Sequence, residues 1–138
     1  MKLSTRSRYG TRILLELARH VDNSPLQVSE ISKRQNIPAK YLEQLIRTLK
    51  SAKLIKSTRG SKGGHQLNQP AESISIGQIV RLFEGQTDLV ECVSTPDKCD
   101  MADECRVRSV WMEATEALYQ KLDKVTIADL LESGQPDR

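Results

Sequence analysis

With 138 residues, 38% of them hydrophobic and 28% charged, the chain has the length of one compact domain with an appended element. No apolar run approaches the ~20 residues a membrane span needs, and the start Met1-Lys2-Leu3-Ser4 lacks the apolar core of a signal peptide. The expected place is the cytoplasm, off the membrane, where thiols stay reduced and an odd set of three cysteines points to metal or redox chemistry rather than to structural disulfides.

The net charge of +3 is unevenly spread. Residues 1–70 hold 14 Lys and Arg against 4 Asp and Glu, and residues 71–138 hold 7 against 14. A polycationic half on a compact fold is the electrostatic footprint of a nucleic-acid binder, because each neutralised phosphate releases counterions. Charge alone leaves open a second reading, two solvated faces of opposite sign that attract each other within or between chains.

The chain order supplies the pattern. Ile13, Leu14, Leu17, Ala18 and Val21 recur at helical spacing and predict a first helix from about Ser7 to Val21, stopped by Asn23-Ser24-Pro25. A second, short helix covers about Ser29 to Gln35, turning Val28 and Ile31 inward, and Asn36-Ile37 breaks it. Pro38 suits the first turn of a third helix, where its missing N–H costs nothing. Leu42, Leu45, Ile46 and Leu49 make that helix one-sided, with Lys40, Glu43, Gln44, Arg47 and Lys50 on the other face. Two short extended segments, 54–58 and 65–67, then flank the basic, glycine-rich tip Arg59-Gly60-Ser61-Lys62-Gly63-Gly64, which reads as a β-hairpin.

Three helices with a polar face on the third, followed by a basic hairpin, describe a winged helix-turn-helix. The third helix fits a major groove and its polar face reaches base edges. The hairpin tip lets backbone approach closely while Arg59 and Lys62 meet phosphates or a minor groove. Double-stranded DNA is therefore the expected partner.

In the second half, Ser75-Ile76-Gly77-Gln78 reads as a capping box opening a helix that Gly85 ends. Residues 86–105 show no periodicity and hold Cys92, Cys99 and Cys105, a C-x6-C-x5-C spacing. Thiols clustered on a loop can converge on a metal. Thiolates serve zinc and iron–sulfur clusters alike, and the spacing is not the C-x2-C of zinc ribbons. From about Arg106 to Leu122 a stripe returns, with Val107, Val110, Trp111, Ala114, Leu118 and Leu122 on one face. With few apolar elements nearby to cover it, that stripe is expected to pack on its twin in a two-fold dimer, the alternative being that it folds back on its own domain. Thr126-Ile127-Ala128-Asp129 caps a last helix ending near Ser133, and Gly134 to Arg138 form a frayed tail.

The fold class expected is mainly α with a small β wing, a winged helix-turn-helix followed by a long C-terminal dimerisation helix. The divisions are 1–70 for DNA binding, 71–105 for a linking helix and cysteine-bearing sensor loop, and 106–138 for dimerisation. No nucleophile–base pair, acid/base carboxylate pair or phosphate loop stands out, so an enzyme is not expected. His20 and His65 read as structural or phosphate-facing.

Leu3-Ser4, Arg8-Tyr9, Tyr41-Leu42-Glu43-Gln44-Leu45, Arg59-Gly60-Ser61-Lys62-Gly63-Gly64, Ser75-Ile76-Gly77, the three loop cysteines and the following Trp111 helix together resemble the bacterial iron–sulfur winged-helix regulators of the IscR, NsrR and RirA type. The resemblance covers nearly the whole chain. It implies a homodimeric transcription regulator whose operator affinity follows the state of an iron–sulfur cluster, of 2Fe–2S or 4Fe–4S type. By the same resemblance Lys40, Tyr41, Glu43, Gln44 and Arg47 belong to the DNA-reading helix, and Arg59, Gly60 and Lys62 to the wing, Arg59 entering the minor groove. Cys92, Cys99 and Cys105 would ligate iron.

The chain departs from that pattern at the fourth ligand. Arg106-Val107-Arg108 stands where some members carry a histidine, and Arg8 and Arg12 stand where others recruit an acidic or histidine ligand from the first helix of the partner subunit. A guanidinium has no lone pair to donate to iron. The fourth position falls to a loop carboxylate (Glu91, Asp97, Asp100, Asp103 or Glu104) or to an exogenous ligand. A different class of control, by thiols without a cluster or by a partner enzyme as among relatives that regulate sulfur assimilation, is the alternative.

Overall fold

A computed structural model describes residues 2–20, 22, 24–85 and 88–133. In it α1 spans Thr5–Arg19, α2 Val28–Gln35 and α3 Ala39–Ser51, followed by β1 Ile55–Thr58 and β2 Gly64–Leu67. Then come α4 Ile76–Glu84, α5 Glu91–Ser94, α6 Arg108–Lys124 and α7 Ile127–Glu132. This is a mostly helical fold with one small antiparallel sheet.

α1 begins earlier than its apolar stripe indicates, because Ser4 is the cap: its Oγ accepts from Ser7 N at 3.4 Å. The helix ends at Arg19 with His20 extended. Val21 and Asn23, expected at its end, lie outside the described residues, as does the tail 134–138. Asn36 closes α2 in the left-handed conformation at φ 54°, a geometry asparagine tolerates better than most residues. Pro38 is the N-cap of α3 rather than part of its first turn. Leu42, Leu45, Ile46 and Leu49 are buried as the periodicity predicts.

The hairpin runs in the register Ile55↔Leu67 to Thr58↔Gly64. Leu26 adds a third, one-residue edge: its N–H donates to His65 O and its carbonyl accepts from His65 N, both at 2.8 Å. That approach requires glycine at position 64, whose φ is 147° and where a Cβ would stand 2.6 Å from Leu26 O. The wing is thus stitched to the segment between α1 and α2.

The second half folds back onto the first. Ser75 Oγ caps α4 by accepting from Gln78 N at 3.1 Å, and Gly85 ends the helix at φ 73°. Phe83 packs its ring against Gly10 of α1, where any side chain would collide. Ile127 of α7 is fully buried, and Ile127 N donates to Ile74 O at 2.9 Å. Ile74, Ile79, Phe83 and Ile127 join Ile13, Leu14, Leu42 and Leu49 in one core. α7 carries the reciprocal Thr126–Asp129 capping box.

α6 is different. It starts two residues after the expected Arg106, buries Thr115, and leaves Val110 52% and Met112 43% exposed. Arg81 of α4 fastens it, with bonds of 2.6 and 3.0 Å to the Asp123 carboxylate and its guanidinium 4.5 Å from the Tyr119 ring centroid. Each group holds the other charged: Asp123 sits below its ordinary pKa through the Arg81 hydrogen bond, and Arg81 above its own for the same reason.

Candidate DNA-binding face and cysteine segment

On α3, Lys40, Glu43, Gln44 and Arg47 are exposed, so the predicted reading residues stand free on one helix. Tyr41 does not stand free in the same way. It is half-buried and meets Tyr9 of α1 edge-on at 5.9 Å and 70°. The Arg12 guanidinium lies over the Tyr9 ring, 5.3 Å from its centroid. Its Nε donates to Gln35 Oε1 at 2.8 Å and its Nη2 to Gln35 O at 2.6 Å. Gln35 Nε2 in turn donates to Glu16 Oε1 at 3.0 Å, with Glu16 6% and Gln35 4% exposed. Arg34 approaches Glu16 at 3.7 Å and Glu30 at 3.0 Å.

Buried polar groups are tolerated when paired, and here the pairing fixes α2, and with it the start of α3, on α1. Sequence reasoning did not name Arg12, Glu16 or Gln35 as a group. The available signal was Glu16, a charge embedded between Leu15 and Leu17 in an otherwise apolar stretch.

At the wing tip Arg59, Gly60 and Lys62 are exposed. Gly60 takes φ 108°, and Gly63 N donates to Gly60 O at 3.0 Å to close the turn. Gln27 Nε2 reaches Ser61 O at 3.4 Å, so the tip is tied to the start of α2.

Cys92 lies in α5, Cys99 caps the end of a 3-10 turn over Pro96–Lys98, and Cys105 lies among the turns before α6. Cys92 and Cys105 are half-buried and Cys99 is exposed, and all are free thiols. The segment leans on the foot of α6: Arg108 Nε donates to Cys92 O at 3.0 Å and Arg108 N to Cys105 O at 3.4 Å. Leu89 N donates to Thr115 Oγ1 at 3.3 Å, and Ala102 is buried. Three thiolates are a donor set suited to iron or zinc. Among the described residues, however, no three His, Cys, Asp or Glu side chains are grouped so as to hold a metal ion. The chemistry fits a cluster while the described arrangement of the thiols is not a closed site.

A buried helical trio, a third helix with a free polar face and a hairpin stitched beside it define a winged helix-turn-helix DNA-binding protein. The chain belongs to the Rrf2 family, whose profile, described as an iron-dependent transcriptional regulator, matches residues 3–133. It is 46% identical over 131 residues to protein rrf2 of Nitratidesulfovibrio vulgaris, an alignment covering 95% of this chain and 87% of that one. The fold is similar to that of CymR, the global cysteine regulator of B. subtilis, with TM-score 0.82 and 33% identity over 98% of this chain and 99% of that one. It is also similar to IscR of T. potens, with TM-score 0.76 and 32% identity over 100% and 94%. The protein is a DNA-binding transcription regulator. No helix among the described residues is long and apolar enough to cross a membrane.

Proposed function

We propose that this regulator is a cytoplasmic homodimer whose operator affinity is controlled by an iron–sulfur cluster held by Cys92, Cys99 and Cys105. The observation that carries the reading is the placing of all three of the chain's cysteines in one irregular segment braced by Arg108 on the foot of α6. A bound cluster supplies redox and ligand-exchange chemistry at iron. The protein's part is to close the segment around it, with Arg108 holding the Cys92 and Cys105 backbones against α6. Any change in the segment's shape then bears directly on α6, the proposed dimer seam. That coupling is the route by which the cysteines reach the DNA-binding face.

At that face Lys40, Glu43 and Gln44 address base edges, Tyr41 positions the start of α3, and Arg47 and Lys62 meet phosphates. Arg59 enters the minor groove with Gly60 giving the backbone room.

Purification without air, with iron and sulfide assays and a visible spectrum, tests the proposal. Brown protein that loses iron in each of Cys92→Ala, Cys99→Ala and Cys105→Ala, with helicity retained, is the expected result. Wild-type iron content in all three variants would end it. The fold shared with CymR, the global cysteine regulator of B. subtilis, favours a second reading, control by thiol chemistry or by a partner protein without a cluster. Colourless wild-type protein with three reactive thiols is the outcome that selects it.

A further inference from the structure

Between α3 and the wing lies an open groove of about 290 Å³, lined by Val28, Glu43, Ile46, Arg47, Lys50 and His65. His65 is the best-fixed member. Its backbone is bonded on both N–H and carbonyl to Leu26, its strand partner is Ser57, and its Nδ1 lies 2.8 Å from Ser57 Oγ. The ring is half-buried, whereas Arg47 and Lys50 are exposed at the groove's edge.

The docking described above, with α3 in a major groove and the wing tip in the adjacent minor groove, puts one sugar–phosphate strand between them. That strand has to cross the notch between helix and hairpin. Arg47 and Lys50 also lie in the second half of α3, and recognition helices meet base edges mainly through their N-terminal residues. We propose that this groove seats a DNA backbone phosphate, held by Arg47 and Lys50 with His65 as a third donor that takes up a proton on binding. The inference rests on the proposed docking mode and adds to it a site and a pH dependence.

The charged groups facing His65 are Glu43, Arg47 and Lys50 from α3. Ser57 of β1 contributes a hydroxyl, and Leu26 and Val28 contribute no charge. Burial first, then Lys50, lower the imidazole pKa, while Glu43 raises it, so the free protein keeps His65 neutral at neutral pH. A phosphate in the groove favours the imidazolium, so a proton enters with the DNA and affinity rises as pH falls.

The probe is a labelled duplex recovered by selection on randomised DNA, titrated with the full chain at constant ionic strength from about pH 8 to about pH 5.5. Each pKa unit by which DNA raises His65 strengthens binding by about tenfold at the acid end. His65→Asn keeps a hydrogen-bonding group for Ser57 and cannot take the proton. Its affinity should stay flat across this range, whereas that of the wild type rises as pH falls. Lys50→Gln should make the log–log dependence on salt shallower by about one unit. An identical pH dependence in wild type and His65→Asn, no pH dependence in either, or an unchanged salt slope in Lys50→Gln would each overturn the proposal while DNA binding stands. Wild-type protein that binds no duplex at any pH would instead overturn the docking mode and the groove's role with it.

Discussion

The junction between the two halves of the chain turns on one carboxylate. Glu84, the last residue of α4, accepts at Oε1 from Ser4 N at 2.8 Å and from the Ser4 and Ser7 hydroxyls at 2.5 Å each. It therefore caps the first turn of α1 from a distance of 80 residues in sequence, and its charge complements the positive end of that helix. Replacing Glu84 by Ala strands the Ser7 hydroxyl, which is 2% exposed, while water can replace the lost partner of half-exposed Ser4. A buried hydroxyl left unpaired costs about 1–3 kcal/mol and a hydrogen bond to a charged group contributes about 1.5–3. With partial exposure and non-additivity, the expected loss at neutral pH is about 2–3 kcal/mol. That corresponds to a fall in Tm of roughly 5–10 °C for a chain of this size.

The pH dependence adds a sharper test. The Ser4 hydroxyl, then that of Ser7, hold the Glu84 carboxyl below its ordinary value of 4.5. A carboxylate with a depressed folded pKa stabilises fully above its unfolded value and loses that contribution as pH falls through the folded one. The gap between wild type and Glu84→Ala should thus be widest at neutral pH and shrink steadily below 4.5. Urea denaturation followed by circular dichroism reads this, with protein concentration fixed because association shifts apparent stability. A gap of the same size at neutral and acid pH, or no gap at neutral pH, would refute the reasoning.

Two further outcomes concern the DNA-binding assembly. Arg59→Ala should weaken binding to a selected site by about 1–3 kcal/mol, measured by fluorescence anisotropy, and unchanged affinity would remove Arg59 from the interface. Ala114→Glu, on the half-exposed face of α6, would put an unpaired carboxylate twice into a two-fold seam. Light scattering should report monomers with native helicity, and a persisting dimer would move the seam elsewhere.

Local signals carried most of the fold. The α3 stripe, Asn36, Ser75, Gly85 and the Thr126–Asp129 cap all act within one or two turns, so their spacing alone located the elements. Contacts between distant residues were not legible. Ser4 lies nine residues before the first residue of the apolar stripe, Ile13, and its role emerges only with Glu84 beside it. The Leu26–His65 pairing is a single residue wide and leaves no alternation to read. The Arg12–Gln35–Glu16 network buries polar side chains through partners on another helix, which periodicity cannot announce. In the cysteine segment the ligand chemistry was legible from residue type. The short α5 and the bracing by Arg108 were not, because irregular backbone has no period.

The opposite charges of the two halves constrain how copies of this chain can meet. Residues 1–70 carry +10 and residues 71–138 carry −7, and both belong to one body through the core shared by α1, α4 and α7. A duplex is drawn to the first set and repelled by the second, and with a screening length of about 10 Å at 0.1 M salt this preference acts at contact range. Glu113 and Glu116 on α6, and Asp97, Asp100, Asp103 and Glu104 in the cysteine segment, are all exposed. The cysteine segment is therefore a poor surface for DNA, while α6 carries the exposed apolar side chains Val110 and Met112, with exposed Val107 at its N-cap. Pairing along α6 covers those side chains and leaves both cationic faces open to a duplex. Pairing through the α3 and wing faces would press like charges together and bury the groups that neutralise phosphate, so the proposed seam along α6 is compatible with DNA binding where a seam through those faces is not.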